Sequence, residues 1–542
     1  MDEPSSLQRA LGLLTIAVGV ALIVVDATIM NVIVPSVIED LGIGSVQAQW
    51  TQESYAISFA AFLLLAGRFA DIVGARRVFA AGLAVFGATS VFAGAAPDGD
   101  LLVVARFLQG AGAAMILPTS LSLLNATFTG AARGRAFAVW GSTIGAASAL
   151  GPVLGGWLTE HASWRWAFGI NVPVTVLLGA GALLFLAPSP RPGGRIDVPG
   201  ALLSAFGLGL LAFGLVEGRH YGWFATVRPL DVLGVTWDGG PSPVLVALVL
   251  AVGLLAAFVH RQVRLVRRGD GGRALMDVRL FSVPSFRNGN VVTLIIGVGE
   301  FGVLAVLPLW LHFTLGYGAL ETGLALVPLA VGSFVASGAA FGMPVSPLGQ
   351  VRLGLALEVA GLVGLGLVAG PDSAWWSIAL ALFVYGVGVG FATAQVTNVV
   401  LADVPPHSAG QASGVQSASR ELGFALGIAL LTTTFFTALG SRLRDRLTAD
   451  GVPDARADAH ADAVTDSAGA AIGPLAGRPE TASIADAARA AMADGVALCS
   501  YTAAAFVVLA LVATALIPAA RPAARDGDRP DPAVYEDGTA VR

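Results

Sequence analysis

Fourteen stretches of this chain each run for about twenty residues with almost no charge. A helix needs about 20 apolar residues to cross a hydrocarbon layer of ~30 Å. A spanning segment must also satisfy its own backbone hydrogen bonds. The runs are 11–34, 50–70, 78–96, 101–124, 136–158, 165–187, 198–217, 243–262, 289–313, 320–343, 351–370, 374–400, 411–437 and 496–518. They predict an all-α integral membrane protein with fourteen transmembrane helices, lodged in a lipid bilayer. The composition agrees: only 12% of the 542 residues are charged, about half the ~25% usual for soluble domains. The first eight residues lack a basic leader and a small-residue cleavage site, so the first run is expected to be a retained span rather than a signal peptide.

An even number of spans puts both termini on one side. Segments on that side hold 20 arginines and segments on the other hold 9, six of which lie in the long stretch 440–495. Short basic loops face the cytoplasm, so both termini are expected there. The runs group as six, two and six. Residues 1–190 form a first six-helix bundle and 191–265 two additional helices. Residues 266–520 form a second six-helix bundle carrying an extracytoplasmic loop at 440–495, and 521–542 form a disordered cytoplasmic tail. Paired bundles built from inverted repeats are a transporter architecture. The 440–495 loop, rich in Ala, Asp and Arg, reads as a solvated cap, partly helical or disordered.

Several chemistries are excluded. All 31 basic residues are Arg, and a phosphate-binding Walker loop needs its Lys, so no built-in ATP motor is expected. Cys499 stands alone, and the six His are scattered without ligand spacing, so neither a disulfide framework nor a metal site is expected. The net charge of −5 sits in loops and gives no nucleic-acid footprint. A sensor would need an output domain, and the longest hydrophilic stretch, 440–495, is poor in large apolar residues. The chain is expected to act as a monomer without a cofactor.

The charges inside the apolar runs carry the functional signal, because an ionisable group there is costly and faces a cavity or a partner. Asp26 lies in the first run, in Asp26-Ala-Thr28-Ile-Met-Asn31-Val-Ile-Val-Pro35. It can carry a proton or serve as a hydrogen-bond anchor. Arg106, in Arg106-Phe-Leu-Gln109-Gly110-Ala-Gly112, stays charged at cellular pH. It either faces a carboxylate or snorkels to the outer interface. Glu300 sits among small residues in Ile-Gly-Val-Gly-Glu-Phe-Gly, and Arg420 and Glu421 are adjacent in the thirteenth run. Neighbours on a helix point about 100° apart, so those two cannot both face one cavity squarely. Glu358 is a further charge within a run, and Glu53, between Trp50 and Tyr55, reads as an interfacial residue. Asn31, Gln109, Gly110 and Glu300 are candidates for lining a substrate cavity.

Two glycine-rich stretches complete the pattern. Between the second and third runs stands Gly67-Arg68-Phe-Ala-Asp71-Ile-Val-Gly74-Ala-Arg76-Arg77. The glycines suit a tight turn, and Asp71 can pair with an Arg or with a helix N-terminus of the other bundle. In the fifth run, Gly145-x5-Gly151-Pro152-x2-Gly155-Gly156 reads as a close-packed face bent at Pro152. Its expected role is a seam between the fifth helix and a helix of the other bundle, near the outer side.

These motifs resemble those of the major facilitator superfamily, in its fourteen-helix drug–proton antiporter branch. The Asp26 stretch resembles that branch's first-helix motif, and the loop at 67–77 resembles the superfamily signature G-x-L-A-D-R-x-G-R-R, with Ile72 and Ala75 departing from it. The string R-x-x-Q-G-x-G-x-A at Arg106 is similar to the fourth-helix motif, that at 145–156 to the exporters' fifth-helix motif, and Arg420-Glu421-Leu-Gly423 to a thirteenth-helix motif. The resemblance implies proton coupling through Asp26, Arg106, Glu300 and Glu421. It implies conformational roles for Gly67, Asp71, Gly74, Arg76, Arg77, Gly145, Gly151, Pro152 and Gly155. The function it implies is export of amphiphilic small molecules, drugs or antibiotics, across a bacterial plasma membrane by alternating access, driven by a proton gradient. Two other readings are a facilitator for a lipid, siderophore or metabolite, and a polytopic membrane enzyme or sensor. An all-arginine, alanine-rich chain suits a GC-rich bacterial genome.

Overall fold

The computed structural model describes residues 6–43, 45–188, 195–232, 235–269, 273–340, 343–405 and 408–518. The tail at 521–542 and most of the break at 189–195 lie outside the described residues. Among the described residues, fourteen helices are long and apolar enough to cross a membrane, and the chain is a multi-pass membrane protein. The first bundle contains α1 (Ser6–Leu41), α2 (Ser45–Val73), α3 (Ala75–Gly94), α4 (Gly99–Thr127), α5 (Gly130–His161) and, after the single turn α6 (Trp166–Gly169), α7 (Asn171–Phe185). The two additional helices are α8 (Val198–Tyr221) and α9 (Pro243–Arg267), joined across a small hairpin, β1 (Leu230–Val232) and β2 (Val235–Trp237). The second bundle contains α10 (Pro284–Phe313), α11 (Ala319–Ala340), α12 (Pro347–Val368), α13 (Trp375–Val400), α14 (Ala409–Ala449) and α17 (Ala482–Ala513). This is the six–two–six architecture expected from the apolar runs.

The spans alternate between two faces. The terminal face is the one where the described chain begins at Ser6 and leaves α17; the other is the distal face. Within the first bundle α1 packs on α5, α4 on α2 and α3, and α7 on α3. In the second, α12 packs on α13 and α10 on α14 and α17. The bundles meet where α2 and α4 touch α14 and where α5 touches α11 and α13. The additional hairpin leans on α2 and α14 through α8.

Of the readings open for 440–495, the helical one holds, but the cap is packed rather than fully solvated. α14 continues unbroken to Ala449, α15 (Asp454–Asp466) and α16 (Ile472–Ala476) follow, and α17 starts at Ala482, fourteen residues before the last apolar run. Alanine is the best helix former, so helix persists where hydropathy has already fallen. Leu443, Leu447, Ala457, Ala461, Val464 and Ile472 are buried. Small side chains make this cap pack without the large apolar residues a soluble core would use. The guanidinium of Arg219 on α8 donates to the Thr465 carbonyl at 3.1 Å and lies 3.3 Å from the centre of the Phe436 ring, tying the additional hairpin to the second bundle at the distal face.

At the terminal face the same hairpin is tied down by Asp197. Burial raises the carboxyl's pKa, but hydrogen bonds and charge from Arg261, with further donors from Gly200 and Gln262, hold it below the ordinary aspartate value. Gln262 accepts from Leu275 N at 2.9 Å, and the linker's Asp277 N donates to Gln411 at the start of α14 at 2.7 Å.

Candidate functional site

The mid-span charges assemble into two clusters, one inside the first bundle and one at the meeting of the two. Asp26 is 1% exposed on α1, too deep to be hydrated. It forms a salt bridge with Arg106 of α4. Its other oxygen accepts from Gln109 Nε2 at 2.8 Å and from Asn171 Nδ2 at 2.7 Å. Arg106 also donates to the Thr51 carbonyl at 3.1 Å and to Gln109 Oε1 at 2.7 Å, and stacks 4.3 Å from the Tyr55 ring centre. Ser90 of α3 accepts from Gln109 and Asn171 at 2.9 and 3.2 Å. Helices α1, α2, α3, α4 and α7 therefore converge on one carboxylate.

Of the two readings of Arg106, the structure selects the one facing a carboxylate: its side chain is buried, not snorkelled. A buried pair is stable only when the remaining donors and acceptors are satisfied, and here Asp26 has three partner side chains. Chemically, the cluster is a buried ion pair held in place by neutral amides.

Two cavity candidates have other contacts in this structure. Gln109 is fully buried within the Asp26 cluster. Gly110 presses against the Tyr55 backbone carbonyl, where a side chain would clash; it brings α4 onto α2. The side chain of Asn31 lies outside the described residues. Asn171 is the partner to which sequence reading assigned no chemistry. The string Asn171-Val-Pro173 resembles the family, but a neutral amide does not reveal which group it serves.

The second cluster surrounds Glu300 of α10, 3% exposed. Its carboxylate accepts from Thr393 Oγ1 of α13 at 2.8 Å, and Tyr385 donates to its backbone carbonyl at 2.9 Å. Two small cavities adjoin it. One is bordered by Thr293, Thr397, Gln416 and Arg420; the other by Gly145, Ser148, Leu304 and Arg420. Arg420 is thus the cavity-facing member of the adjacent pair. Its guanidinium lies 5.3 Å from the Trp140 ring centre of the other bundle and 5.1 Å from that of Phe424. Nε and Nη1 have no hydrogen-bond partner among the described residues. Glu421 borders neither cavity; it is half-buried and within electrostatic reach of Arg420 and Tyr55. Glu53 is buried on α2 rather than interfacial.

The conformational candidates divide between two seams. At the terminal face Asp71 accepts from Gly410 N at 2.7 Å and Gln411 N at 2.8 Å, the free amides at the start of α14. This is the helix-N-terminus alternative. Gly67 makes the approach feasible, since a Cβ there would meet Gly410 O at 2.5 Å and Gly414 Cα at 3.0 Å. Ser122 and Ser413 are hydrogen-bonded at 3.2 Å, and Arg133 donates to Asn398 at 3.0 Å across the same seam. Gly74 turns the chain from α2 into α3 at φ 100°, a conformation that suits glycine. Arg76 donates to the Leu183 carbonyl at the end of α7, and Arg77 is exposed.

The fifth-helix seam needs correction. Gly145 does face the other bundle, with Ser333 of α11 beside it, and Pro152 and Val153 lie against Gly323. Gly151 and Gly155, however, pack on Thr28, Ile29 and Val32 of α1, within their own bundle. Residues 145 and 151 are six apart, about 600° around a helix at 100° per residue, so they occupy different faces. One stretch thus serves two contacts.

A model of the Major Facilitator Superfamily matches residues 16–428. A puromycin resistance protein of Streptomyces alboniger is 34% identical over 432 residues, covering 77% of this chain and 80% of its own length. A cephamycin export protein of Amycolatopsis lactamdurans is 35% identical over 418 residues, covering 74% and 80%. Among solved structures, a human organic anion transporter shares the fold at a TM-score of 0.59 and 13% identity, over 93% of this chain and 99% of that one.

Proposed function

This chain belongs to the major facilitator superfamily and is a transporter of small molecules rather than an enzyme; we propose that it is a proton-coupled exporter of amphiphilic drugs or antibiotics. The observation that carries this reading is the buried Asp26–Arg106 pair with its amide partners. A transporter that only lowered a barrier for its cargo would have no use for an ionised group there. A proton-driven one needs a carboxylate whose partner changes when a proton arrives. The names of the two bacterial relatives support resistance and export as the direction of transport.

In this reading Glu300, between the bundles, takes either a proton or a cationic group of the cargo, and Glu421 assists. Asp71, Gly67 and the 145–156 stretch govern which face is open. The chain works as a monomer in a bacterial plasma membrane with both termini cytoplasmic, drawing on the proton gradient alone. The test is counterflow in inverted vesicles with an imposed pH gradient, using ethidium and other amphiphilic dyes. Dye uptake with matching proton efflux supports the reading. Dye movement indifferent to the gradient, and unchanged in Asp26→Asn, refutes proton coupling and favours a facilitator.

A further inference from the structure

Two buried charges of opposite sign share a space without pairing. Arg420 of α14 is 6% exposed and Glu300 of α10 is 3% exposed. Both border the same two cavities. Among the described residues no hydrogen bond or salt bridge joins them, and each is held by other groups. Glu300 accepts from Thr393 at 2.8 Å. The Arg420 guanidinium lies 5.3 Å from the ring centre of Trp140 and 5.1 Å from that of Phe424. Trp140 is itself fixed by donating to Ser120 Oγ at 3.0 Å. The rings attract the cation but offer its N–H groups no lone pair in the ring plane, and Nε and Nη1 stay without an acceptor. A buried donor left unpaired is costly, and a charged one more so.

The other nearby carboxyl groups do not fill that need. Glu421 follows Arg420 in the chain but borders neither cavity. Glu358 of α12 is 0% exposed, has no hydrogen-bond partner for either oxygen among the described residues, and borders neither cavity. The two cavities differ in composition. The first lies within the second bundle, and Thr293, Thr397 and the unpartnered Oε1 of Gln416 make it polar. The second lies where the bundles meet, and Ile144, Leu304, Leu329 and Val389 make it mostly apolar. A ligand that fits both has a charged head and an apolar body.

A simple cation would match Glu300 and leave Arg420 unpaired. A simple anion would do the reverse. A molecule with one charge of each sign meets both and adds no net charge to a buried site. We propose that the cargo is amphoteric: an acidic group, such as a carboxylate, docks on Arg420, a cationic group of the same molecule docks on Glu300, and the apolar body lies against α5 and α11. This names the substrate class of the site described above and rests on the export reading only for the cargo's passage. Glu300 then holds either the cargo's cation or a proton, while Arg420 recognises the cargo alone.

The test is equilibrium dialysis of the purified full chain against three probes that share one aromatic body. Nε-dansyl-lysine is zwitterionic at neutral pH, its methyl ester is a cation, and dansylaminohexanoate is an anion. Dansyl-lysine should bind at least tenfold more tightly than either of the others. Arg420→Gln should weaken dansyl-lysine at least tenfold and the ester less than twofold. Glu300→Gln should weaken dansyl-lysine and spare the hexanoate. An ester that binds as well as dansyl-lysine overturns the proposal, and so does failure of dansyl-lysine to bind. Equal weakening of both by Arg420→Gln makes the guanidinium a packing group and overturns it too. Loss of the preference in saturating chloride identifies a site for a small inorganic anion, with the same consequence. If Arg420→Gln does not fold, the three probes on wild type decide the matter. Binding needs no gradient, so a zwitterion preference alongside failed dye counterflow would sink the export reading alone. Working counterflow without the preference would sink this inference alone.

Discussion

Replacing Asp71 with Asn should unlatch the terminal face. Both carboxylate oxygens accept backbone amides of α14, Gly410 N at 2.7 Å and Gln411 N at 2.8 Å. An amide side chain keeps one acceptor and turns an NH2 group towards the other N–H. A charge-assisted hydrogen bond is worth about 1.5–3 kcal/mol. Losing the negative charge at the helix N-terminus removes a further ~0.3–1 kcal/mol. Both terms exist only while α2 and α14 are joined, but they overlap and burial of the carboxylate charge offsets part of them, so the closed form loses about 1–2 kcal/mol relative to the open one. At 1.4 kcal/mol per tenfold, the equilibrium moves roughly five- to thirtyfold towards opening. The assay is alkylation of a cysteine placed at Ser122 on the seam, hydrogen-bonded to Ser413 at 3.2 Å, in a Cys499→Ala background. Asp71→Asn should raise its labelling rate by an impermeant maleimide from the terminal face, with membrane yield unchanged. Equal rates in the two proteins would mean that the seam is held by packing alone and that Asp71 contributes nothing to the latch.

Four further outcomes are expected. Gly151→Leu should cost about 1–3 kcal/mol of overpacking against α1, since a Cβ would meet Ile29 N at 3.0 Å; thermal melting should show the loss. Gly145→Leu, opposed by the Ser333 side chain, should melt normally yet export at least tenfold more slowly. Asn171→Ala removes a 2.7 Å donor to Asp26, worth about 1–3 kcal/mol where the group is buried, and gradient-driven export should fall tenfold or more in the dye assay. Asp197 is held below its ordinary value despite burial, so the stability it contributes is complete above about pH 5 and is lost as pH falls through its folded value below ~4. The melting-temperature gap between wild type and Asp197→Asn should therefore close on acidification, and a gap constant to pH 3 would contradict the ion pair with Arg261.

Hydropathy made the fourteen spans legible, since a bilayer core admits few other chains. Their ends were less so. The α14 and α17 helices run past their apolar runs on alanine-rich sequence that favours helix without favouring lipid. Asp26 and Arg106 were legible because charge in a span demands a reason; that they face one another is a fact of three dimensions, since Arg106 could equally have snorkelled. Ser90 was not, and Asn171 stood out only as part of a family-like string without a role, because neutral polar residues in a span cost too little to demand a partner. Glycine spacing revealed that α5 has close-packed faces but not which neighbour each face meets. For Gly151 and Gly155 the neighbour is α1 rather than the other bundle. Glu358 was visible as a charge; its lack of any partner is a three-dimensional fact.

The two seams also differ in kind. At the terminal face Gly67, Gly410 and Gly414 bring backbone against backbone, and Asp71, Ser122 and Arg133 add hydrogen bonds across the join. Towards the distal face the α5–α11 contact is close as well. A Cβ on Gly145 would meet Ser333 Oγ at 2.7 Å, and one on Gly323 would find Val153 Cγ2 at 3.2 Å. Chemistry rather than tightness separates the two. A charge-assisted hydrogen bond depends on one carboxylate and on its angle to the amides, so Asp71→Asn acts on the terminal seam. Packed side chains spread their attraction over many atoms, so the α5–α11 seam answers to added volume at Gly145. The Glu300 cluster, bordered by Gly145 and Ser148 of one bundle and Arg420 of the other, lies between the two.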